Sequence, residues 1–297
     1  MSDITLSIVT ATYNNPSDLL RTFVSLHPLR LSCVSWEHII VDSSPEVTQP
    51  VIDRLDKQSW PLRRVIEQPK GVYAAFNRGI EVARGRLVWF LNSGDVLLDA
   101  LLLERVCREL EKDKSVELAL CGARLYRDGR YLYPMLPKPM LEANILGRNR
   151  LCHQGVVYKR EVFGKAGVFD MRYTVAADYE HYLRCYLNAI KTRTFPYTLI
   201  ACGMDGLSNR EWRRSMGELV QISSSLKGQI DRRHYFVQRV RTQLEVVRVY
   251  MMKFLGRLPV LRGLKPVYYG INRHLAHFSQ RMDHKTLYIP SIAARPR

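Results

Sequence analysis

The segment from Arg86 to Asp95, R-L-V-W-F-L-N-S-G-D, limits the possible folds of this chain more than any other stretch. Five consecutive bulky apolar residues, Leu87 to Leu91, have the pattern of a buried strand. They give way at once to Asn92-Ser93-Gly94-Asp95, a tight polar turn. A carboxylate therefore stands at the carboxyl end of a core strand, the edge at which open α/β sheets bind ligands. Such a turn suits a metal ion or a phosphate-bearing ligand. It equally suits an ordinary loop whose side chains satisfy nearby backbone groups.

The flanking sequence repeats this arrangement. Residues 5–12 form an apolar strand that stops at Tyr13-Asn14-Asn15-Pro16. Asn15 and Pro16 then open a helix with Leu19, Leu20, Phe23, Val24 and Leu26 as its stripe. Residues 37–41 read as a second strand ending at Asp42-Ser43-Ser44, residues 51–57 as a helical segment, and residues 63–67 as a third strand. Three strand ends thus deliver polar side chains to one sheet edge. Residues 71–85 have helical spacing, with Gly85 as the expected C-cap. Residues 101–112 form an amphipathic helix with Leu102, Val106 and Leu110 inward. Residues 117–121 form a strand, and Asp128-Gly129 turns a hairpin over residues 124–133. The prolines of residues 134–149 predict a crossing loop, residues 151–158 a strand, and the stretch after Arg160 a short helix. A helix then opens near Ala176, with Asp178 in its first turn, where the dipole holds a carboxylate ionised or the acid simply stabilises the helix. The absence of G-x-G-x-x-G argues against a dinucleotide-binding dehydrogenase.

The chain has 297 residues, 46% of them hydrophobic, enough for one large domain and an appendage. Six scattered cysteines without a C-x-x-C pair signal neither a zinc site nor a disulfide framework and fit a reducing cytoplasmic setting. The N-terminus lacks a signal-peptide pattern, and no apolar stretch approaches the ~20 residues of a spanning helix. Net charge is +17, and the segment from Asn209 onward holds 18 Lys and Arg against five acids. Residues 212–255 read as one long helix, with Phe236, Val240, Leu244, Val247, Met251 and Phe254 on the apolar face and Gln238, Arg241, Glu245 and Arg248 opposite. Residues 256–270 interleave basic, aliphatic and aromatic side chains. That pattern suits an anionic bilayer surface, or a helical appendage packed on the core with a solvated basic face. No helix-turn-helix, zinc-finger or RNA-recognition signature accompanies the charge, so no nucleic-acid partner is expected.

In order, T-A-T-Y-N-N, V-D-S-S, E-Q-P-K-G-V-Y-A-A-F-N-R-G-I-E-V-A-R-G-R-L-V-W-F-L-N-S-G-D, H-Q-G and A-D-Y-E-H-Y-L-R resemble the family 2 glycosyltransferases. These have the GT-A nucleotide-diphosphosugar transferase fold, an α/β fold with a mostly parallel central sheet flanked by helices. The likeness is strongest to a bacterial exopolysaccharide and lipopolysaccharide branch that carries N-S-G-D in place of an acidic triplet. It covers roughly residues 5–208, which implies a catalytic domain over 1–208 and a basic helical C-terminal region over 209–297.

The resemblance implies that Thr10, Thr12 and Tyr13 border the nucleotide and that Asp42 accepts a hydrogen bond from the base, favouring uracil. Glu67, Gly71 and Asn77 lie near the ribose and sugar, and Asn92, Ser93 and His153 contribute to nucleotide-sugar binding. Asp95 corresponds to the metal-binding acid and Asp178 to the catalytic base. Two positions depart from the family pattern: Ser93 stands where the first acid of D-x-D is usual, and Ala177 replaces a Glu. His153 is equally suited to a satisfied core position. The implied chemistry is inverting transfer from a nucleotide-sugar donor, UDP-linked by expectation, assisted by Mg²⁺ or Mn²⁺. The implied acceptor is a saccharide or lipid-linked saccharide, with the enzyme cytoplasmic and peripheral on the inner membrane face. A non-catalytic scaffold of the same fold is the alternative.

Overall fold

The computed structural model describes residues 3–56, 59–127, 129–140, 151–204, 206–230 and 232–255. The first half runs β1 (Leu6–Thr12), α1 (Pro16–Leu26), β2 (Trp36–Asp42), α2 (Pro45–Asp56), β3 (Leu62–Ile66), α3 (Val72–Val82) and β4 (Leu87–Phe90). The second half runs β5 (Val96–Leu97), α4 (Ala100–Lys112), β6 (Leu118–Arg127), β7 (Arg130–Met135), β8 (Val156–Lys159), α5 (Val162–Lys165), α6 (Ala177–Leu187) and β9 (Thr192–Gly203). Helices α7 (Leu207–Arg210), α8 (Trp212–Ser225) and α9 (Arg232–Leu255) follow. One sheet takes the order β3-β2-β1-β4-β8-β6-β9-β5, with β7 on β6.

Strands β3, β2, β1 and β4 pair in parallel, and β8 returns antiparallel to β4. Their registers set Thr12 opposite Asp42 and Val9 opposite Phe90, so the polar strand ends fall on one edge. Alternation divides each strand between two cores. Val9, Val88 and Phe90 face α3 and α6, whereas Ile8, Leu87 and Trp89 face α1, α2 and α4.

Several elements differ from expectation. Gly85 does not cap α3, which ends at Ala83 in an extended conformation. Its amide instead donates to Ser7 Oγ (2.8 Å), and Ser7 Oγ donates to the buried Glu37 carboxylate (2.6 Å). A Cβ at Gly85 would lie 2.5 Å from Ser7 N, so this close backbone crossing is what requires glycine. Strand β9 was not assigned from the sequence; it contains Pro196, a residue uncommon inside a sheet. The β6–β9 register shifts between Leu120 and Gly122, and this irregularity absorbs the proline. Residues 151–158 are strand only from Val156, since His153–Gly155 form a 3₁₀ turn. On α1, Val24 is exposed, and on α4 it is Leu103 that is fully buried.

The helical reading of residues 212–255 resolves into two helices, and the second presents its apolar face outward. Gln238 and Thr242 of α9 are buried while Phe236, Val240, Leu244, Val247, Met251 and Phe254 face outward. Ser223 of α8 meets Gln238 (2.8 Å), and Arg239 reaches Ser224 (2.7 Å), so a polar interface holds α9 to α8. Leu219, Ile222 and Leu226 at α8 and its C-cap join the core. Residues 256–270 lie outside the described residues.

Gly85→Ala should lower the unfolding free energy by about 1–3 kcal/mol through overpacking at Ser7, read from the urea midpoint. An unchanged midpoint would show that the crossing can open without cost.

Candidate active site

At the end of β4 the chain turns through Gly94, whose φ of 100° suits glycine. Helix α1 holds this turn. Thr22 Oγ1 donates to the Asp95 carbonyl (2.8 Å) and accepts from Gly94 N (2.8 Å). Three side-chain oxygens in the turn, Asn92 Oδ1, Ser93 Oγ and Asp95 Oδ2, are buried without a partner. A buried polar atom left unpaired costs about 1–3 kcal/mol, so three together mark a place built for a ligand. Burial pushes the Asp95 carboxyl up to about 7, against the opposing hydrogen bonds from Gln154 and the Asn92 backbone.

These are hard oxygen donors, and a divalent cation would satisfy them and restore the carboxylate charge. Among the described residues, no group of three or more His, Cys, Asp or Glu could hold a metal. The turn would thus give one carboxylate with an amide and a hydroxyl oxygen. Water and substrate phosphates would complete the shell of Mg²⁺ or Mn²⁺.

Gln154 connects this turn to the second strand of the site. Trp89 Nε1 donates to its backbone carbonyl (2.7 Å), and its side-chain Oε1 accepts from Cys152 Sγ (3.2 Å). His153 stacks against both Phe76 and Phe90, at centroid distances of 5.1 and 5.2 Å. Its Nδ1 pairs with Tyr182 Oη (3.2 Å), its Nε2 has no partner, and burial pulls the imidazole down to about 3, so it is neutral.

Asn92, His153, Gln154 and Asp178 line one cavity of about 430 Å³. Asp178 enters it from the first turn of α6. Tyr73 of α3 donates to Asp178 Oδ1 (3.2 Å), which also accepts from Tyr179 N (2.8 Å). Burial, then the Asp178 charge, holds the Tyr73 hydroxyl well above the usual tyrosine range, so it remains a donor. Helix α6 has no capping side chain of its own. Glu218 of α8 supplies one: its buried carboxylate accepts from Thr174 N, Thr174 Oγ1, Val175 N and Ala176 N at 2.8–2.9 Å. A carboxylate thus stands at the N-terminus of the Asp178 helix although Ala177 has none.

The remaining expected residues divide into two groups. Glu67, Gly71 and Asn77 line a second hollow of about 520 Å³, on the opposite face of α3, with Ser43, Lys70 and Arg78. Within it Glu67 pairs with Arg78 (2.9 Å), and Asn77 brackets the Phe169 backbone through both amide atoms (2.9 and 3.0 Å). The other group is engaged within the protein. Thr10 is fully buried and bonded to His38 Nε2 (2.9 Å), so its hydroxyl does not border a ligand. Asp42 is also fully buried and accepts from Ser44 N (2.9 Å), Thr48 Oγ1 and Arg64 (2.7 Å), which leaves no exposed acceptor for a base. Thr12 donates to Asn15 (2.7 Å), and Tyr13 is exposed beside it.

Gln154 was expected, with His153 as an H-Q pair, near the pyrophosphate or acceptor, and both line the cavity; Thr22, Tyr73 and Glu218 were not assigned site roles from the sequence. Thr22 alone had a signal, as a polar residue within the buried stripe of α1.

Comparison with known proteins fits this geometry. The chain matches the model of Glycosyl transferase family 2 over residues 7–168, more than half its length, and belongs to that family. It is thus an enzyme of the glycosyltransferase class with a GT-A fold. Among its relatives, a PGL/p-HBAD biosynthesis glycosyltransferase of Mycobacterium tuberculosis (strain ATCC 25177 / H37Ra) is 28% identical over 184 residues, 61% of this chain and 70% of the relative. The uncharacterized glycosyltransferase EpsJ of Bacillus subtilis (strain 168) is 25% identical over 205 residues, 63% of this chain and 58% of the relative. Residues 1–349 of TarS from S. aureus, in complex with UDP-GlcNAc, superpose with TM-score 0.60 at 14% identity, covering 98% of this chain and 95% of that one. The mannosyltransferase PcManGT from Pyrobaculum calidifontis, in complex with GDP-Man and Mn²⁺, gives TM-score 0.60 at 16% identity, with coverage of 95% and 88%.

Glu218→Ala should lower stability by about 2–4 kcal/mol, since several charge-assisted hydrogen bonds to backbone N–H groups are lost together. Chemical denaturation checks this. A change below about 0.5 kcal/mol would show that water replaces the carboxylate without loss.

Proposed function

We propose that this enzyme is an inverting transferase that moves a sugar from a UDP-linked donor to a hydroxyl of a saccharide or lipid-linked acceptor, in cell-surface polysaccharide synthesis. The carrying observation is that Asn92, the first residue of the turn whose three side-chain oxygens lack a partner, and Asp178 line one cavity. TarS in complex with UDP-GlcNAc supports a UDP-linked donor. The Mn²⁺ in the PcManGT complex supports a divalent cation at the turn.

In this reading Asn92, Ser93 and Asp95 hold the cation against the donor diphosphate. When bound, it supplies charge neutralisation of the leaving group. Asp178 accepts the proton of the acceptor hydroxyl as that oxygen bonds to the anomeric carbon. The anomeric C–O bond to the diphosphate breaks with its electron pair leaving on the nucleoside diphosphate, and attack from the opposite side inverts the centre. Tyr73 fixes the Asp178 oxygen it bonds, and the neutral His153 offers Nε2 without adding a charge. The hollow beside Glu67, Gly71 and Asn77 is assigned to the nucleoside side of the donor. The basic C-terminal region brings the enzyme to the cytoplasmic membrane face, where a lipid-linked acceptor resides. Among the described residues no helix is long and apolar enough to cross a membrane.

Asp178→Asn should reduce transfer by about 10²–10⁴-fold while leaving donor affinity within two-fold, because shape is kept and the base is lost. Wild-type turnover in this variant would remove Asp178 from the chemistry. Asp95→Ala should give the same donor affinity with Mn²⁺ as with EDTA, by calorimetry. An affinity that still rises with Mn²⁺ would place the cation elsewhere.

A further inference from the structure

Helix α9 buries its polar edge and exposes its apolar one. Phe236, Val240, Leu244, Val247, Met251 and Phe254 are between 41% and 67% exposed, and Val237 and Tyr250 extend the same face. At 100° per residue these side chains span about 140° of the helix, broader than the narrow seam of a two-helix coiled coil. Arg241 flanks one edge, with Arg248 beside it paired to Glu245, and Arg232 flanks the other. The inner edge is fixed by hydrogen bonds from Gln238 and Arg239 to α8, so the helix cannot simply roll its apolar face inward. Left in water, such a face is unfavourable by tens of calories per mole for every Å² of apolar surface.

Charge identifies the occupant. Helix α9 carries six Lys and Arg against one acid, Glu245, and residues 256–297 add eight against one. Two copies of this face would bring arginines together without acids to meet them. An anionic lipid surface meets the same arginines with phosphates and receives the apolar side chains between them. We infer that the outward face of α9 is the surface by which the enzyme docks on an anionic bilayer. This rests on the membrane assignment made above and names the element that does it. Glu245, on the side of the same helix away from this face, lines the cavity that holds Asp178, so the docking helix and the candidate site belong to one continuous body.

The test uses the full chain and vesicles of phosphatidylcholine alone or of equimolar phosphatidylglycerol and phosphatidylcholine. The wild type should co-sediment with the second and not the first. Leu244→Ser with Met251→Ser, a pair that adds no charge and alters no cavity residue, should weaken binding at least about ten-fold. Leu244→Glu with Met251→Glu should abolish it. All three proteins should release nucleoside diphosphate from a soluble donor at equal rates, which also reports that the variants fold. Equal vesicle binding by wild type and both variants would overturn the docking face while leaving membrane attachment to another segment. A wild type that binds neither vesicle would overturn the attachment itself. A wild-type dimer that ignores vesicles and becomes monomeric in the variants would assign the face to a second copy and overturn the inference.

Discussion

An ionisable carboxylate that is buried and incompletely partnered is expensive, and Asp95 is one. It lies at the end of the central strand β4, between a turn pinned by Thr22 and a glutamine fixed by Trp89. Burial alone would leave it half-protonated near neutrality, at about 7. The fold holds this arrangement through α1, β1 and the β4–β8 pairing, all of which converge on the same edge. Elements that maintain a costly group in place identify where function imposes a constraint. Here the unsatisfied oxygens are groups that a cation would satisfy whatever the sugar.

The parallel half of the sheet was legible because its signals are local. Apolar runs ended by Asn, Asp, Ser and Gly fixed β1, β2 and β4, and the ordered motifs carried the family. What escaped was non-local. Strand β9 carries Pro196, and only the partner strand reveals that a bulge absorbs it. Asp42 sits at the expected strand end, but Arg64, two strand positions away on β3, occupies it. Glu218 is forty residues beyond Asp178 in sequence and belongs to the region set aside as an appendage, yet it caps the helix of the base. Apolar periodicity located α9 and left open which face turns inward, because spacing identifies a stripe and cannot say what covers it.

The C-terminal helices are therefore joined to the chemistry at two points. Glu218 orders the backbone of residues 174–176 ahead of Asp178, and Glu245 enters the wall of the same cavity. Contacts from α8 thus order the backbone just ahead of Asp178, while α1 and β8 support the Asn92–Asp95 turn, so the two ends of the candidate site rest on separate parts of the chain.

The most direct test is nucleoside diphosphate release by the purified full chain, offered UDP-, GDP- and dTDP-sugars in turn with Mg²⁺, Mn²⁺ or EDTA, with and without membrane lipid extract. The account predicts release from a UDP-sugar that needs the cation and rises with the extract. Silence across all donors, with no donor binding by calorimetry, would contradict it.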